Sequence, residues 1–251
     1  MLLCPEQGFA CGLPEAPWHN LARLICIRAN KDIFMALMDQ ATSEEVKKRL
    51  DSLESEVRII FFKESLMCQT CGPAEDFFTK LAALSPRLKL EVYNRVTDTE
   101  KAAAYGVTLT PAAVIEGAKG ARVRFYGIPA GYEFVSLLEA VKNSVSAEPG
   151  LQPETVTALN GLKAPVNIKV FVTPTCPYCP PTVVLAHKFA AAAARVTAEM
   201  IEASEFPELA AKYEVAGVPQ IVINETVNIV GAQSESALLK AVLDLVPGSA
   251  V

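Results

Sequence analysis

The sequence predicts an α/β protein made of two tandem units, each a mixed β-sheet flanked by helices. Three observations carry that reading. A C-x-x-C pair is written twice, as Cys68-Gln69-Thr70-Cys71 and Cys176-Pro177-Tyr178-Cys179, and a proline follows each pair at one distance, Pro111 and Pro219. The offset is constant, since 176 − 68 and 219 − 111 both give 108. An ungapped reading of residues 68–115 against 176–223 finds 16 identities in 48 positions, among them Pro73/Pro181, Lys80/Lys188, Arg87/Arg195, Tyr105/Tyr213 and Val107/Val215. Similarity on that scale means two copies of a whole unit. The length agrees, because 251 residues with 51% apolar content can build two cores of roughly 100 residues each.

Each copy runs through one succession of elements. In the first, a helix at about 42–54 takes Thr42 or Ser43 as its N-cap, with Glu44 and Glu45 in the first turn and Val46, Leu50 and Leu53 on one face. The β-branched and aromatic run 57–62 is a strand ending near the first C-x-x-C, which opens a helix through Phe77, Phe78 and Leu81. A strand at 89–93, an Ala-rich helix ending near Tyr105, a strand 111–115, a hairpin partner 122–126 and a closing helix at about 132–146 complete the unit. The second copy repeats the order at 153–162, 166–171, the helix after Cys179, 196–201, a helix ending near Tyr213, 219–223, 227–230 and 234–246. The polar Ser146-Ala147-Glu148-Pro149-Gly150 stretch separates a unit at 35–148 from one at 149–251. Residues 1–34 hold the single Trp and three of the seven Cys but no periodicity and no repeat partner, so they are expected to be a disordered extension. A metal knot of Cys4, Cys11, His19 and Cys26 is the competing reading; its spacing fits no zinc pattern.

A net charge of −5 repels phosphate backbones and argues against nucleic-acid binding. No apolar run reaches the roughly 20 residues of a membrane span. The start lacks the basic and apolar regions of a secretory signal, so the expected compartment is the cytoplasm. There a C-x-x-C is catalytic or metal-binding rather than a structural staple.

The catalytic reading needs one thiol that is ionised and reachable and a second that expels the mixed disulfide. A C-x-x-C at a helix start is expected to place the first cysteine by unpaired backbone N–H groups and the second one turn further in. Cys176 and Cys68 are then nucleophiles, and Cys179 and Cys71 resolve. Thr110-Pro111 and Val218-Pro219, each directly before an apolar run, are candidate cis bonds that leave the preceding backbone free to pair with an extended substrate. Pro177 restricts the loop and Tyr178 shapes access to it. The bland alternative is one Cys₄ zinc site, but 104 residues separate the pairs and each pair carries its own strand, helix and proline. No metal is expected. His187 reads as a helix-face histidine, and Tyr105 and Tyr213 as packing residues.

Over roughly residues 36–247 the chain resembles the protein disulfide oxidoreductases built from two glutaredoxin-like thioredoxin folds. The resemblance rests on Thr173-Pro174-Thr175-Cys176-Pro177-Tyr178-Cys179-Pro180, on Cys68-Gln69-Thr70-Cys71, on both proline steps and on the string from Tyr126 to Phe134. It implies thiol–disulfide exchange on disulfide-containing protein substrates, and a thioredoxin reductase-like flavoprotein as electron source; glutathione is the other donor considered. No cofactor is implied beyond the redox-active disulfides Cys68–Cys71 and Cys176–Cys179. The pattern departs from thioredoxin six residues before each first cysteine, where a buried Asp is replaced by Phe62 and Val170. Glu64, Glu91 and Glu199 are the substitutes considered, each more simply a solvated strand-end carboxylate. A second resemblance, to the N-terminal part of the flavoprotein that reduces an alkyl hydroperoxide peroxiredoxin, implies a dedicated electron relay. In that family the first copy lacks the cysteines present here. With no G-x-G-x-x-G in the chain, electrons must come from another molecule. A non-catalytic binding module is the third reading.

Overall fold

The computed structural model describes residues 40–148 and 150–245, so the expectations for residues 1–34, including the metal knot, lie outside the described residues. The first set of elements is α1 (Gln40–Asp51), β1 (Val57–Lys63), α2 (Cys71–Ala83), β2 (Leu88–Asn94), α3 (Thr99–Ala104), β3 (Ala112–Gly117), β4 (Gly120–Tyr126) and α4 (Glu133–Val145). The second is α5 (Pro153–Asn160), β5 (Val166–Val172), α6 (Cys179–Ala192), β6 (Val196–Glu202), α7 (Pro207–Lys212), β7 (Gln220–Ile223), β8 (Val227–Val230) and α8 (Glu235–Leu245). No helix among the described residues is long and apolar enough to cross a membrane.

Side-chain alternation along the strands makes two cores. Ile59, Phe61, Ala113, Ile115, Phe125, Ile168, Val170 and Met200 face one side, where α1, α2, α4, α5, α6 and α8 cover them. Ile60, Phe62, Val114, Tyr126, Phe171, Ile201 and Val222 face the other, under Ala102 and Tyr105 of the first unit and Leu209 and Tyr213 of the second. Each unit is therefore a mixed sheet with helices on both faces, as the sequence predicts. Within the first, β1 pairs with β2 in parallel and with β3 antiparallel, and β3 pairs with β4. The second repeats this with β5, β6, β7 and β8.

The two sheets are one. β4 pairs with β6 in parallel, from Val123 opposite Ala198 to Tyr126 opposite Ile201, which gives eight strands in the order β2-β1-β3-β4-β6-β5-β7-β8. Nothing in the hydrophobic pattern announces this joint, because β4 and β6 carry Arg124 and Glu199 among their apolar residues. Helices seal it from one side. α4 lies against α6, and the Phe125 ring meets the His187 ring edge to face at 4.9 Å. Arg122 crosses the seam and donates from Nε to the Ala190 carbonyl at 2.7 Å, satisfying an otherwise free group in the last turn of α6.

A charge pair sits within the joint. Arg124 Nη1 lies 3.0 Å from Glu199 Oε1, and both side chains are about nine-tenths buried. Arg124 also donates from Nε to the Tyr105 carbonyl, and Glu199 accepts from Asn167 and faces Lys169 at 3.6 Å. Breaking such a pair from one side leaves an uncompensated buried charge. Arg124→Met is therefore expected to destabilise the chain by about 3 kcal/mol or more, and adding Glu199→Leu to recover part of that loss. Urea unfolding midpoints of the three proteins check this. An unchanged midpoint for the single variant refutes it.

Candidate active site

Strand direction decides where the cysteine pairs sit. β1, β4, β6 and β5 all point the same way, so the ends of β1 and β5 that lead into Cys68 and Cys176 emerge on one edge of the sheet. Four strand spacings lie between them, about 19 Å. Exchange of electrons between the pairs by direct sulfur contact is ruled out while β4 and β6 remain joined.

Each helix starts at the second cysteine. α2 begins at Cys71 and α6 at Cys179, with Cys68 and Cys176 in the turn before. The pair thus sits at a helix start, with the second cysteine one turn beyond the first. The reason is local: the Cys176 N–H bonds the Thr173 carbonyl and the Cys179 N–H bonds the Cys176 carbonyl, so the chain turns once before helical bonding starts. Cys68 and Cys71 are joined as a disulfide with Cα atoms 5.5 Å apart, and Cys176 and Cys179 carry free thiols. Cys176 keeps 9% of its surface exposed and Cys179 none. Thr110-Pro111 and Val218-Pro219 are both cis. The Val218 carbonyl lies 3.6 Å from Cys176 Sγ, so the proline step and the first cysteine share one spot. Tyr178 is 66% exposed beside it, and Pro177 is half-buried. At the first site Leu66 and Met67 project into solvent ahead of Cys68.

The decisive residue at the second site comes from the first unit. Glu133, the opening residue of α4, is 1% exposed. Ser136 Oγ donates to its Oε2 at 2.6 Å, and its Oε1 has no partner. Burial pushes its carboxyl up to about 8, the Ser136 hydrogen bond opposing. Burial raises the Cys179 thiol most, the neighbouring Cys176 raises it next, and the charge of Glu133 adds the least. Tyr132, the residue before Glu133, bonds the Pro174 carbonyl two residues ahead of Cys176, so a carboxyl that burial moves toward neutrality lies in the region of the second dithiol. In the second copy the closing helix α8 opens at Glu235, whose carboxylate accepts the Gln152 N–H at 2.8 Å.

The three carboxylates weighed from sequence are tied up elsewhere. Glu64 pairs with Arg95, although its N–H donates to Cys71 Sγ at 3.5 Å. Glu91 bonds Arg58 and the Tyr93 hydroxyl, which hold its carboxyl below the usual range. Glu199 belongs to the seam. His187 is buried with neither ring nitrogen partnered, and burial lowers it to about 3, which keeps it neutral; it lies on the α6 face that packs against Phe125. Tyr213 packs on Phe171 as expected, and its hydroxyl bonds Glu225. No cluster of metal-ligating residues occurs among the described residues. Sequence reasoning missed Glu133, because the burial of α4 nearly all round follows from its packing and not from its residue pattern.

Between pH 4.5 and about 8 the folded chain holds a proton on Glu133 that the unfolded chain has released. Stability is therefore lost as pH rises through that window. Glu133→Gln keeps an acceptor for Ser136 and removes the titration. The stability difference between variant and wild type is expected to move toward the variant by roughly 3 kcal/mol or more from pH 5 to pH 8.5. Unfolding curves at the two pH values measure it, and a constant difference refutes the assignment.

Comparisons with known proteins agree with this geometry. The model of the thioredoxin domain family (Thioredoxin_3) matches twice, at residues 56–139 and 166–244. A probable thioredoxin of Methanothermobacter thermautotrophicus is 39% identical over 80 residues, 32% of this chain and 94% of the relative. The protein disulfide oxidoreductase of Aeropyrum pernix K1 superposes with a TM-score of 0.76 at 33% identity, covering 84% of this chain and 93% of that one. The NTD_N/C domain of the alkylhydroperoxide reductase AhpF of Enterococcus faecalis superposes with a TM-score of 0.75 at 27% identity, covering 81% and 99%. The chain thus belongs to the thioredoxin domain family, as a thiol–disulfide oxidoreductase of two tandem thioredoxin folds.

Proposed function

We propose that the chain reduces disulfides in protein substrates, with Cys176 as attacking thiol, Cys179 as resolving thiol and Glu133 as proton acceptor for Cys179. The observation that carries this reading is a buried carboxyl with one unpartnered oxygen, held to the second unit's active-site loop by the Tyr132-to-Pro174 hydrogen bond. Cys176, the more exposed of the two, attacks one sulfur of the substrate disulfide, and a substrate thiolate leaves. The mixed disulfide then spans Cys176 and the substrate. Glu133 takes the Cys179 proton, the Cys179 thiolate attacks the Cys176 sulfur, and the second substrate thiolate leaves. Two electrons have passed to the substrate, and the Cys176–Cys179 disulfide remains. With a carboxyl near 8, about one Glu133 in ten is ionised at pH 7, so turnover rises as pH climbs toward 8.

Val218, Pro219, Pro177 and Tyr178 flank Cys176 and bind the substrate chain; Thr110 and Pro111 do the same at Cys68. Cys68 and Cys71 form a second redox-active disulfide, in a unit that divides from the other at residue 148. Among the described residues the pair has no counterpart of Glu133, which supports the second site as the stronger reductase. Electrons come from a thioredoxin reductase-like flavoprotein or glutathione, and the reducing cytoplasm suits thiols that must stay reduced. The likeness to the alkylhydroperoxide reductase domain favours one variation, a relay that hands electrons to a single peroxiredoxin.

Insulin reduction with dithiothreitol tests the activity. Cys176→Ser is expected to abolish most of it and Cys68→Ser to leave much of it; equal losses refute the ranking. Cys179→Ser keeps the nucleophile and removes the resolving thiol, so a dithiothreitol-sensitive mixed disulfide is expected to accumulate on Cys176. Equal trapping by Cys176→Ser and Cys179→Ser overturns the roles. Glu133→Gln is expected to slow turnover at pH 7 by about tenfold to a hundredfold.

A further inference from the structure

We propose that Glu205 is a positioning residue for Glu133, holding the strap of residues 127–132 that carries this carboxyl from the first unit to the second unit's dithiol. The inference rests on the role given to Glu133 above. Three backbone N–H groups anchor the strap: Gly127 to the Pro111 carbonyl at 3.0 Å, Ile128 to Glu205 Oε1 at 2.6 Å, and Tyr132 to the Pro174 carbonyl at 3.1 Å. Glu133 follows directly as the first residue of α4. Of the three anchors only Glu205 acts through a side chain, and its bond is the shortest of the three.

The fit around this anchor is close. Gly127 has φ +89°, and a Cβ there would lie 2.7 Å from Glu205 Oε1 and 2.8 Å from Glu202 Cβ. Gly131 has φ +60°, and a Cβ there would lie 2.2 Å from the Pro174 carbonyl oxygen. The strap can lie this near the second unit only because both residues are glycine. Glu205 is itself held. Its N–H donates to Glu202 Oε2 at 2.6 Å, while Glu202 Oε1 accepts the Ser204 N–H at 3.2 Å, so the buried Glu202 folds the turn that presents Glu205. No cation pairs with Glu205 among the described residues, and its Oε2 is buried without a partner, so the strap N–H is the one donor its carboxyl accepts from. The chain of contacts runs from Glu202 to Glu205, to Ile128, to the start of α4, and so to the Glu133 carboxyl in the region of the second dithiol.

The test reads the resolving step alone, so that it does not depend on the physiological substrate. The aromatic disulfide DTNB reacts with Cys176 to give a mixed disulfide and one coloured thiolate. Attack of Cys179 on the Cys176 sulfur then releases the second thiolate, with the Cys179 proton passing to Glu133. The rate of that second phase at pH 7 is compared in wild type, Glu205→Ala, Glu133→Gln and the double variant, with Cys68 and Cys71 replaced by Ser throughout. Glu205→Ala is expected to slow it about tenfold in the wild-type background and less than twofold when Glu133 is already Gln. Glu205→Gln, whose amide oxygen still accepts the Ile128 N–H, is expected to restore most of the rate. Should Glu205→Ala fail to fold, Glu205→Asp, which withdraws the acceptor by one methylene, takes its place in the same cycle. Equal slowing in the two backgrounds overturns the proposal, as does Glu205→Gln behaving like Glu205→Ala. An insulin assay that is negative for the wild type, with the cycle behaving as expected, would instead refute the function proposed above and leave the positioning role standing.

Discussion

The backbone pairing of β4 with β6 is the constraint on which the remaining structure depends. Four residue pairs turn two sheets into one, and that single act fixes the separation of the cysteine pairs, sets them on the same edge and brings α4 against α6. Parallel strands with helices on both sides are deeply buried, so the joint must be apolar or fully paired. The protein uses both solutions, with apolar Phe125 and Met200 beside the Arg124–Glu199 pair and its bonds to Tyr105 and Asn167. Arg122 adds a donor where α6 runs out of partners.

Joining the units in this way breaks their equivalence. A unit in second position receives the start of the preceding unit's closing helix next to its dithiol; a unit in first position has no such neighbour among the described residues. Glu133 accordingly serves the second site, and among the described residues nothing like it serves Cys71, where the carboxylates Glu64 and Glu75 are matched by Arg95 and Lys63. The same C-x-x-C and the same proline step therefore work in different electrostatic surroundings. A buried acid without a cationic partner is driven toward neutrality in charge, which is what suits it to accept and return a proton near pH 7. Proton transfer at the second site is thus a property of the pair of units rather than of either alone.

Much of this was legible in the residues themselves. The 108-residue offset located both cysteine pairs and both proline steps, and the alternation of Ile59 to Phe62 and the spacing of Val46, Leu50 and Leu53 placed strands and helices to within a few residues. These features are local: a period of 2.0 or 3.6, a turn residue, a motif with fixed internal spacing. The helix start is local too, since one turn of backbone bonding before Cys179 sets the first helical residue at the second cysteine.

The sequence by itself determined two thioredoxin units and their reacting sulfurs, because each unit's pattern is written within its own hundred residues. Only the tertiary structure decided that the units share a sheet, that Glu133 rather than Glu64, Glu91 or Glu199 serves the second dithiol, and that Glu205 holds the strap leading to it. Those facts join residues far apart in the chain, Glu133 with Cys179 and Ile128 with Glu205, through a strand pairing that leaves no periodicity to read. Whether a carboxylate is solvated, ion-paired or stranded depends on what the fold lays over it, and charge and spacing along a chain do not encode that.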